Sequence, residues 1–208
     1  LALFVSFEGG EGSGKSTQAK ALYQHLLKTG IPVVLCHEPG TTPMGRRVRR
    51  LLKSPEETEI SPLAELFLIA AARAQLVMEL IRPNLDRGTT VVCDRYADST
   101  VAYQGYGRGI DMKVIQVVNN SATQGVLPDL VVLLDIPVEL GLARKGSTRL
   151  DRFESEEVSF HQRVRNGYLE IARTDPQRWL VIDATLPKAE IRHMVWGRVR
   201  GLLQSHDG

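Results

Sequence analysis

The chain has 208 residues, with 26 Lys and Arg against 24 Asp and Glu and a formal charge of +2. A net charge that small does not by itself argue for a nucleic-acid or membrane surface, and neither is expected as a partner. A composition 43% hydrophobic and 24% charged excludes a disordered or fibrous chain, and the length suits one α/β domain spanning residues 1–208.

Leu3-Phe4-Val5-Ser6-Phe7 is short, apolar and rich in strand formers. Gly9-Gly10-Glu11-Gly12-Ser13-Gly14-Lys15-Ser16 follows and matches G-x-x-x-x-G-K-[ST], the P-loop. From Thr17 to Lys28, apolar residues at 19, 22, 26 and 27 have the spacing of a helix with one buried face. Glycines let backbone N–H groups converge on an anion, and the new helix adds the positive end of its dipole. Lys15 is placed to reach the β- and γ-phosphates of ATP and the Ser16 hydroxyl to ligate Mg²⁺, with residues 9–17, Thr17 included, as the ATP-binding segment.

Ile31–Cys36 reads as a second strand buried on both faces, closed by the Pro- and Gly-rich loop 37–43. A short basic helix is expected over Met44–Leu52 and an exposed loop over 54–60. Ser61-Pro62 starts a helix that ends near Leu80 or Ile81, or kinks at Pro83, and its apolar residues cover more than one face. Thr89–Cys93 is the third strand, with Asp94-Arg95-Tyr96 at its end. Asp111 caps a helix to about Thr123, and Leu130–Asp135 is the fourth strand. Pro137–Arg144 is a short helix, 145–151 a basic loop, and Glu156–Arg173 a helix with Ser155 as candidate N-cap. Trp179–Ile182 is the fifth strand and Pro187–Leu203 the last helix.

Apolar strands alternating with helices predict a five-stranded parallel sheet covered on both faces. In such a sheet ligands bind beyond the carboxyl ends of the strands. The P-loop, Glu38-Pro39-Gly40, Asp94-Arg95-Tyr96 and Asp135 all fall there. Cys36 and Cys93 lack metal-ligand spacing and are expected to be reduced, in keeping with a cytoplasmic location. The apolar opening runs straight into the P-loop, so no signal peptide is expected, and no run of about 18 apolar residues is present. Arg46, Arg47, Arg49, Arg50 and Lys53 crowd one segment, and Arg144, Lys145, Arg149 and Arg152 another. Alone, such runs read as solvated helix faces; beside a P-loop they read as phosphate binders.

Together these residues point to ATP-dependent phosphoryl transfer, which needs positioning, Mg²⁺ and positive charge on the transferring group. Lys15, Arg95 and the arginines of 144–152 supply the charge. Asp94 is placed either like a Walker-B acid, holding Mg²⁺ directly or through water, or as a helix N-cap.

At this point the chain resembles the thymidylate (dTMP) kinases, in particular their bacterial branch, from Phe7 to Leu203. The resemblance rests on Phe7-Glu8-Gly9 leading into the P-loop, Glu38-Pro39-Gly40 before a basic helix, and Ala71-Ala72-Arg73-Ala74-Gln75. It rests also on Asp94-Arg95-Tyr96 with Ser99, Ala102-Tyr103-Gln104-Gly105 and Gly107-Arg108-Gly109, and on Leu150-Asp151-Arg152-Phe153-Glu154. It implies a P-loop nucleoside monophosphate kinase fold with a small lid at about 144–155, a homodimer, and transfer from ATP to dTMP. By resemblance, Phe67 stacks on thymine, Arg73 donates to its O4, and Gln104 is a further contact to the base. Tyr103 fills the space of a ribose 2′-hydroxyl, and Glu11 accepts from the 3′-hydroxyl. Arg49 and Arg95 clamp the dTMP phosphate, with Glu38, Pro39 and Ser99 in the same site. The P-loop carries no Arg, which resembles the design in which a lid arginine, Arg149 or Arg152, neutralises the transition state, with Arg144 at the lid base near the adenine.

Two positions depart from the family pattern: Thr41 where a second Gly is usual, and Leu76 where many members have His. A different kinase on the same fold is the nearest alternative reading. A GTP-driven switch would need N-K-x-D and D-x-x-G, which the chain lacks. An inactive scaffold sits poorly with intact Lys15, Ser16, Asp94 and Arg95.

Overall fold

The computed structural model describes residues 2–54, 59–146 and 151–204. Five parallel strands, β1 (Phe4–Glu8), β2 (Val33–His37), β3 (Thr90–Asp94), β4 (Leu130–Asp135) and β5 (Trp179–Asp183), form one sheet in the order β2-β3-β1-β4-β5. β1 is fully buried at the centre, paired with β3 through Phe4↔Val91 and with β4 through Val5↔Leu130. Chain direction across the sheet reverses around β1, so the crevice beyond its carboxyl end is the topological switch point.

Side-chain alternation divides the core in two. Leu3, Val5 and Phe7, with Leu130, Val132 and Leu134, face α1 (Lys15–Lys28) and the C-terminal helix Lys188–Gln204. Phe4, Val91 and Cys93 face the opposite layer, the end of α3 (Pro62–Leu76) and the turn after it, with α2 (Pro43–Lys53) packed on α3 in turn, while Val131 and Leu133 face helix Val158–Thr174.

α2 and α3 start as their sequences dictate. Thr42 Oγ1 accepts from Gly45 N at 2.9 Å and Ser61 Oγ from Ala64 N at 3.3 Å, each followed by Pro at the first helical position. The helical path does not stop at Ile81. A π-helical turn over Val77–Ile81 leads into α4 (Arg82–Asp86), with Pro83 in its first turn. The wider turn accommodates a proline that has no N–H to give and whose ring would clash with a tighter turn. After β3 come α5 (Ala97–Thr100), a second π turn over Val101–Gly107, and α6 (Met112–Thr123), capped by Asp111 as expected.

α7 (Val138–Lys145) follows β4. α8 (Val158–Thr174) begins later than the sequence suggested, with Glu157 at its N-cap. Ser155 is not a cap: its hydroxyl donates to Arg152 O within a turn organised by Asp151, whose Oδ1 accepts from Phe153 N and Glu154 N. Past β5 the chain ends its described course in α9 (Lys188–Gln204).

Candidate active site

A cavity of about 510 Å³ opens beyond the carboxyl ends of β1, β2 and β3. The P-loop forms its floor. Gly9 and Gly12 must be glycine: both have φ in the left-handed half of the map, 138° and 67°. A Cβ at Gly9 would meet Leu134 O at 2.5 Å and one at Gly12 would meet Gly141 O at 1.9 Å. No side chain caps α1, so its first-turn N–H groups and dipole remain free for an anion. Lys15 is buried, and its ammonium donates to Gly10 O at 2.6 Å and Ser13 Oγ at 3.3 Å. Burial lowers the Lys15 pKa to about 8, and nearby Arg95 adds to the shift. Gly9, Gly10 and Ser13 shape the loop from behind, whereas Glu11, Gly12, Gly14, Lys15, Ser16 and Thr17 line the cavity.

At the end of β3, Asp94 accepts a short hydrogen bond from the Ser16 hydroxyl. Tyr96, not Asp94, is the N-cap residue of α5, which removes the capping alternative for the aspartate. Two hard oxygen donors beside a phosphate-binding loop fit Mg²⁺, which favours waters and phosphate oxygens over an all-protein cage. No cluster of three His, Cys, Asp or Glu side chains suited to a metal occurs among the described residues.

Arg95 follows immediately, with its backbone at φ 70°, an unusual conformation for a non-glycine residue. Its guanidinium donates to Gly9 O at 3.0 Å, Tyr168 Oη at 3.2 Å, Glu11 Oε1 at 2.7 Å and Tyr103 Oη at 3.0 Å. Tyr103 in turn donates to Glu11 Oε1 at 2.9 Å. Edge-on packing against Phe153, Phe160 and Tyr168 holds the Tyr103 ring as a rigid wall. The second π turn is what presents Tyr103 and Gln104 together. Behind this group lies Glu8, buried in the sheet. It accepts from Tyr96 N at 2.7 Å, Ser99 Oγ at 2.6 Å and Tyr168 Oη at 3.0 Å. Burial, helped by the negative charge of Asp98, pushes the Glu8 carboxyl up to about 7.

The far end of the cavity is reached from β2 and α3. Arg73 is fully buried, ion-paired to Glu38, and donates to Asn119 Oδ1 at 2.6 Å and Thr100 Oγ1 at 2.8 Å. Arg73 Nε and Glu38 Oε2 are both sealed without a partner among the described residues. Arg49 donates to Pro39 O at 3.1 Å. Thr41 keeps an ordinary backbone conformation, and its hydroxyl accepts from His37 N at 2.8 Å, so the departure from glycine there is absorbed without strain. Leu76 is a core residue. Arg144 lines the cavity mouth and donates to Ala184 O at 2.9 Å, joining α7 to the loop after β5. Asp135 is taken up elsewhere, by both Nε and Nη2 of Arg165.

A profile of the family described as Thymidylate kinase matches residues 7–195. The chain belongs to the thymidylate kinase family. It is 51% identical over 204 residues to a thymidylate kinase of Dehalococcoides mccartyi, covering 98% of this chain and 99% of that one. It is 48% identical over 200 residues to a thymidylate kinase of Deinococcus radiodurans, with 95% and 96% covered. Among solved structures, the crystal structure of thymidylate kinase from Ehrlichia chaffeensis superposes with a TM-score of 0.74 at 36% identity, over 87% of this chain and 92% of that one. The five-stranded sheet and its glycine loop are therefore those of the P-loop nucleoside monophosphate kinase fold, and the chain is a kinase by family.

Two expected site residues stand elsewhere. Phe67 does not line the cavity; it is 52% exposed on the outer side of α3. Six residues separate it from Arg73, which is about a third of a turn off the shared face, whereas Ile69, four residues before Arg73, lies on that face and lines the cavity. Arg152 does not line the cavity either. Its guanidinium pairs with buried Glu65 and donates to Leu52 O at 2.9 Å, tying residues 151–154 to α2 and α3. Arg149, and part of the expected lid at about 144–155, lie outside the described residues. Sequence reasoning assigned no role to Glu8, Glu65, Ile69, Asn119 or Tyr168. Glu8 carried a signal, a carboxylate closing a strand apolar on both faces, and Ile69 carried its four-residue spacing from Arg73.

Proposed function

We propose that this chain phosphorylates dTMP to dTDP with ATP and Mg²⁺ by direct in-line transfer. The observation that carries the reading is one cavity holding both Lys15 of the P-loop and the Arg95–Glu11–Tyr103 cluster. A phosphate oxygen of dTMP attacks the γ-phosphorus of ATP, the bond to the β,γ-bridging oxygen breaks, and ADP leaves with that electron pair. No protein nucleophile is needed. When bound by Ser16 and Asp94, Mg²⁺ would offset phosphate charge. Residues 9–17 hold the triphosphate, Lys15 reaches its β- and γ-groups, and Arg144 with the loop after β5 flanks the adenine.

In the acceptor half, Arg49 and Arg95 hold the dTMP phosphate, with Pro39 and Ser99 supporting them. Glu11 accepts from the 3′-hydroxyl, and the Tyr103 ring fills the space a 2′-hydroxyl would need. Arg73, held by Glu38, is the guanidinium donor to the base O4, Gln104 adds a second contact, and Ile69 supplies the apolar wall. Arg95 acts on the transferring group, with Arg149 as the candidate lid arginine. A homodimer through the outer faces of α3 and α6 and a cytoplasmic location, in keeping with two buried free cysteines, complete the proposal. No described helix is long and apolar enough to cross a membrane. ADP release measured with dTMP, dUMP, UMP, dCMP, AMP and GMP as acceptors tests the reading. Fast turnover of dTMP and none of UMP is expected; equal use of UMP would remove the Tyr103 argument.

A further inference from the structure

Glu65 is a carboxylate with no access to solvent, set in the first turn of α3. Four N–H groups converge on its two oxygens. Gln104 Nε2 donates to Oε1 at 2.7 Å and Arg108 Nε to the same oxygen at 3.2 Å. Arg108 Nη2 donates to Oε2 at 3.2 Å, and Arg152 Nη2 closes on that oxygen. Arg108 is anchored in turn by Glu156 and by stacking of its guanidinium 4.6 Å from the Phe160 ring centroid.

Such an arrangement dictates which way the Gln104 amide faces. A carboxylate accepts and cannot donate, so the NH₂ end of the amide must point at Glu65. A flipped amide would set carbonyl oxygen against carboxylate oxygen in a sealed site and forfeit the hydrogen bond, a strongly unfavourable exchange. The backbone there is tied down as well: Gln104 O accepts from Ile110 N at 3.1 Å, just past the second π turn. The carbonyl end, Oε1, receives no donor from the described residues and is not among their sealed, unpartnered atoms, while Gln104 lines the cavity.

We propose that Glu65 is a positioning residue that sets base specificity: by holding the Gln104 amide nitrogen it turns the amide oxygen toward the base, so the site takes a pyrimidine with N3–H and refuses one whose N3 is a bare acceptor. The inference rests on reading Gln104 as a contact to the base. Thymine and uracil carry N3–H; cytosine carries a lone pair there, which would face the Gln104 oxygen as acceptor against acceptor. Glu65 touches neither substrate nor reacting atoms in this scheme and acts through Gln104 alone.

Calorimetric titration with dTMP, dCMP and N3-methyl-dTMP tests it in the wild type, Glu65→Gln, Gln104→Met and the double variant, with melting temperatures recorded for each. The wild type should bind dTMP at least ~100-fold more tightly than the other two, a floor well under the ~10⁴–10⁵-fold by which sites built for an N–H reject analogues lacking it. Glu65→Gln presents either end of an amide, frees Gln104 to flip, and should cut that preference at least ~10-fold. In the Gln104→Met background the same change should leave the preference unaltered, because the partner it works through is gone. Equal weakening of all three ligands by Glu65→Gln, with the preference intact, would show a merely structural role and overturn the proposal. A wild type that does not distinguish dTMP from N3-methyl-dTMP and dCMP would instead overturn the Gln104 contact itself. Should Glu65→Gln fail to fold with two guanidinium groups facing a neutral side chain, the change is made in Arg152→Met and the preference read against Arg152→Met alone, with the same two outcomes.

Discussion

Glu8, the last residue of β1, and Lys15, the first of α1, are both buried and ionisable, and each makes pH a probe of the site. With its pKa lowered to about 8, Lys15 is charged below that pH and neutral above it in the free enzyme. ATP affinity should therefore be level below about pH 8 and weaken above it, with proton uptake on binding. Lys15→Met should remove that inflection and lower kcat by about 10²–10³-fold, as loss of one charge-stabilising donor does. Glu8 works in the opposite sense. Its pKa rises from 4.5 to about 7 on folding, so below pH 4.5 burial is not opposed by charge. Between 4.5 and about 7 the unfolded chain ionises while the folded one keeps its proton, and stability is lost until the cost levels off above about 7, at roughly 3 kcal/mol. Urea denaturation at pH 4, 6 and 8 should show Glu8→Gln gaining on the wild type by that order across the range; parallel curves would contradict the assignment. Neither residue's environment is visible locally in the sequence. Glu8 meets Tyr168 across 160 positions of chain, and a contact at that separation exists only once the sheet has formed.

At the scale of elements, the strands and their functional ends were legible because parallel strands buried on both faces read as plain apolar runs. The P-loop, Asp94-Arg95 and Glu38-Pro39 reach one cavity for that reason, while Tyr96 turns into the core. α3 was harder. It is apolar on most of its circumference, so composition does not say which side meets the site, and the helical period must decide. Ile69 shares the face of Arg73 and Phe67 does not. Ile69→Ala should raise KM for dTMP about 10-fold with little change in kcat, in line with the loss of apolar wall next to a ligand, while Phe67→Ala should leave KM within about twofold. Arg152 was misplaced for a related reason. In a basic stretch every arginine looks equally available, and the partner that removes this one, Glu65, lies 87 residues away. Ser155 likewise resembled a cap until Asp151 was seen to organise the turn ahead of α8.

The whole molecule presents an apolar exterior where α3 and α6 pack side by side. Leu63 and Phe67 from α3, Met78 from the π turn that continues it, and Val114 and Val117 from α6 are all exposed, with Val117 at 65%. Exposed apolar residues on two adjoining helices are a candidate interface, and we propose a second copy of the chain as its occupant. Sedimentation should give twice the 23.1 kDa chain mass for the wild type and the chain mass itself for Val117→Glu; a monomeric wild type would contradict it. As a unit, the fold brings the P-loop that follows β1 and residues of α3, α5 and the second π turn to one crevice. Product analysis tests this most directly. The enzyme is incubated with ATP, Mg²⁺ and dTMP, and ADP and dTDP are quantified chromatographically. The two are expected in equal amounts, with almost no ADP when dTMP is omitted. ADP formed without dTDP, or no turnover while ATP still binds, would contradict it.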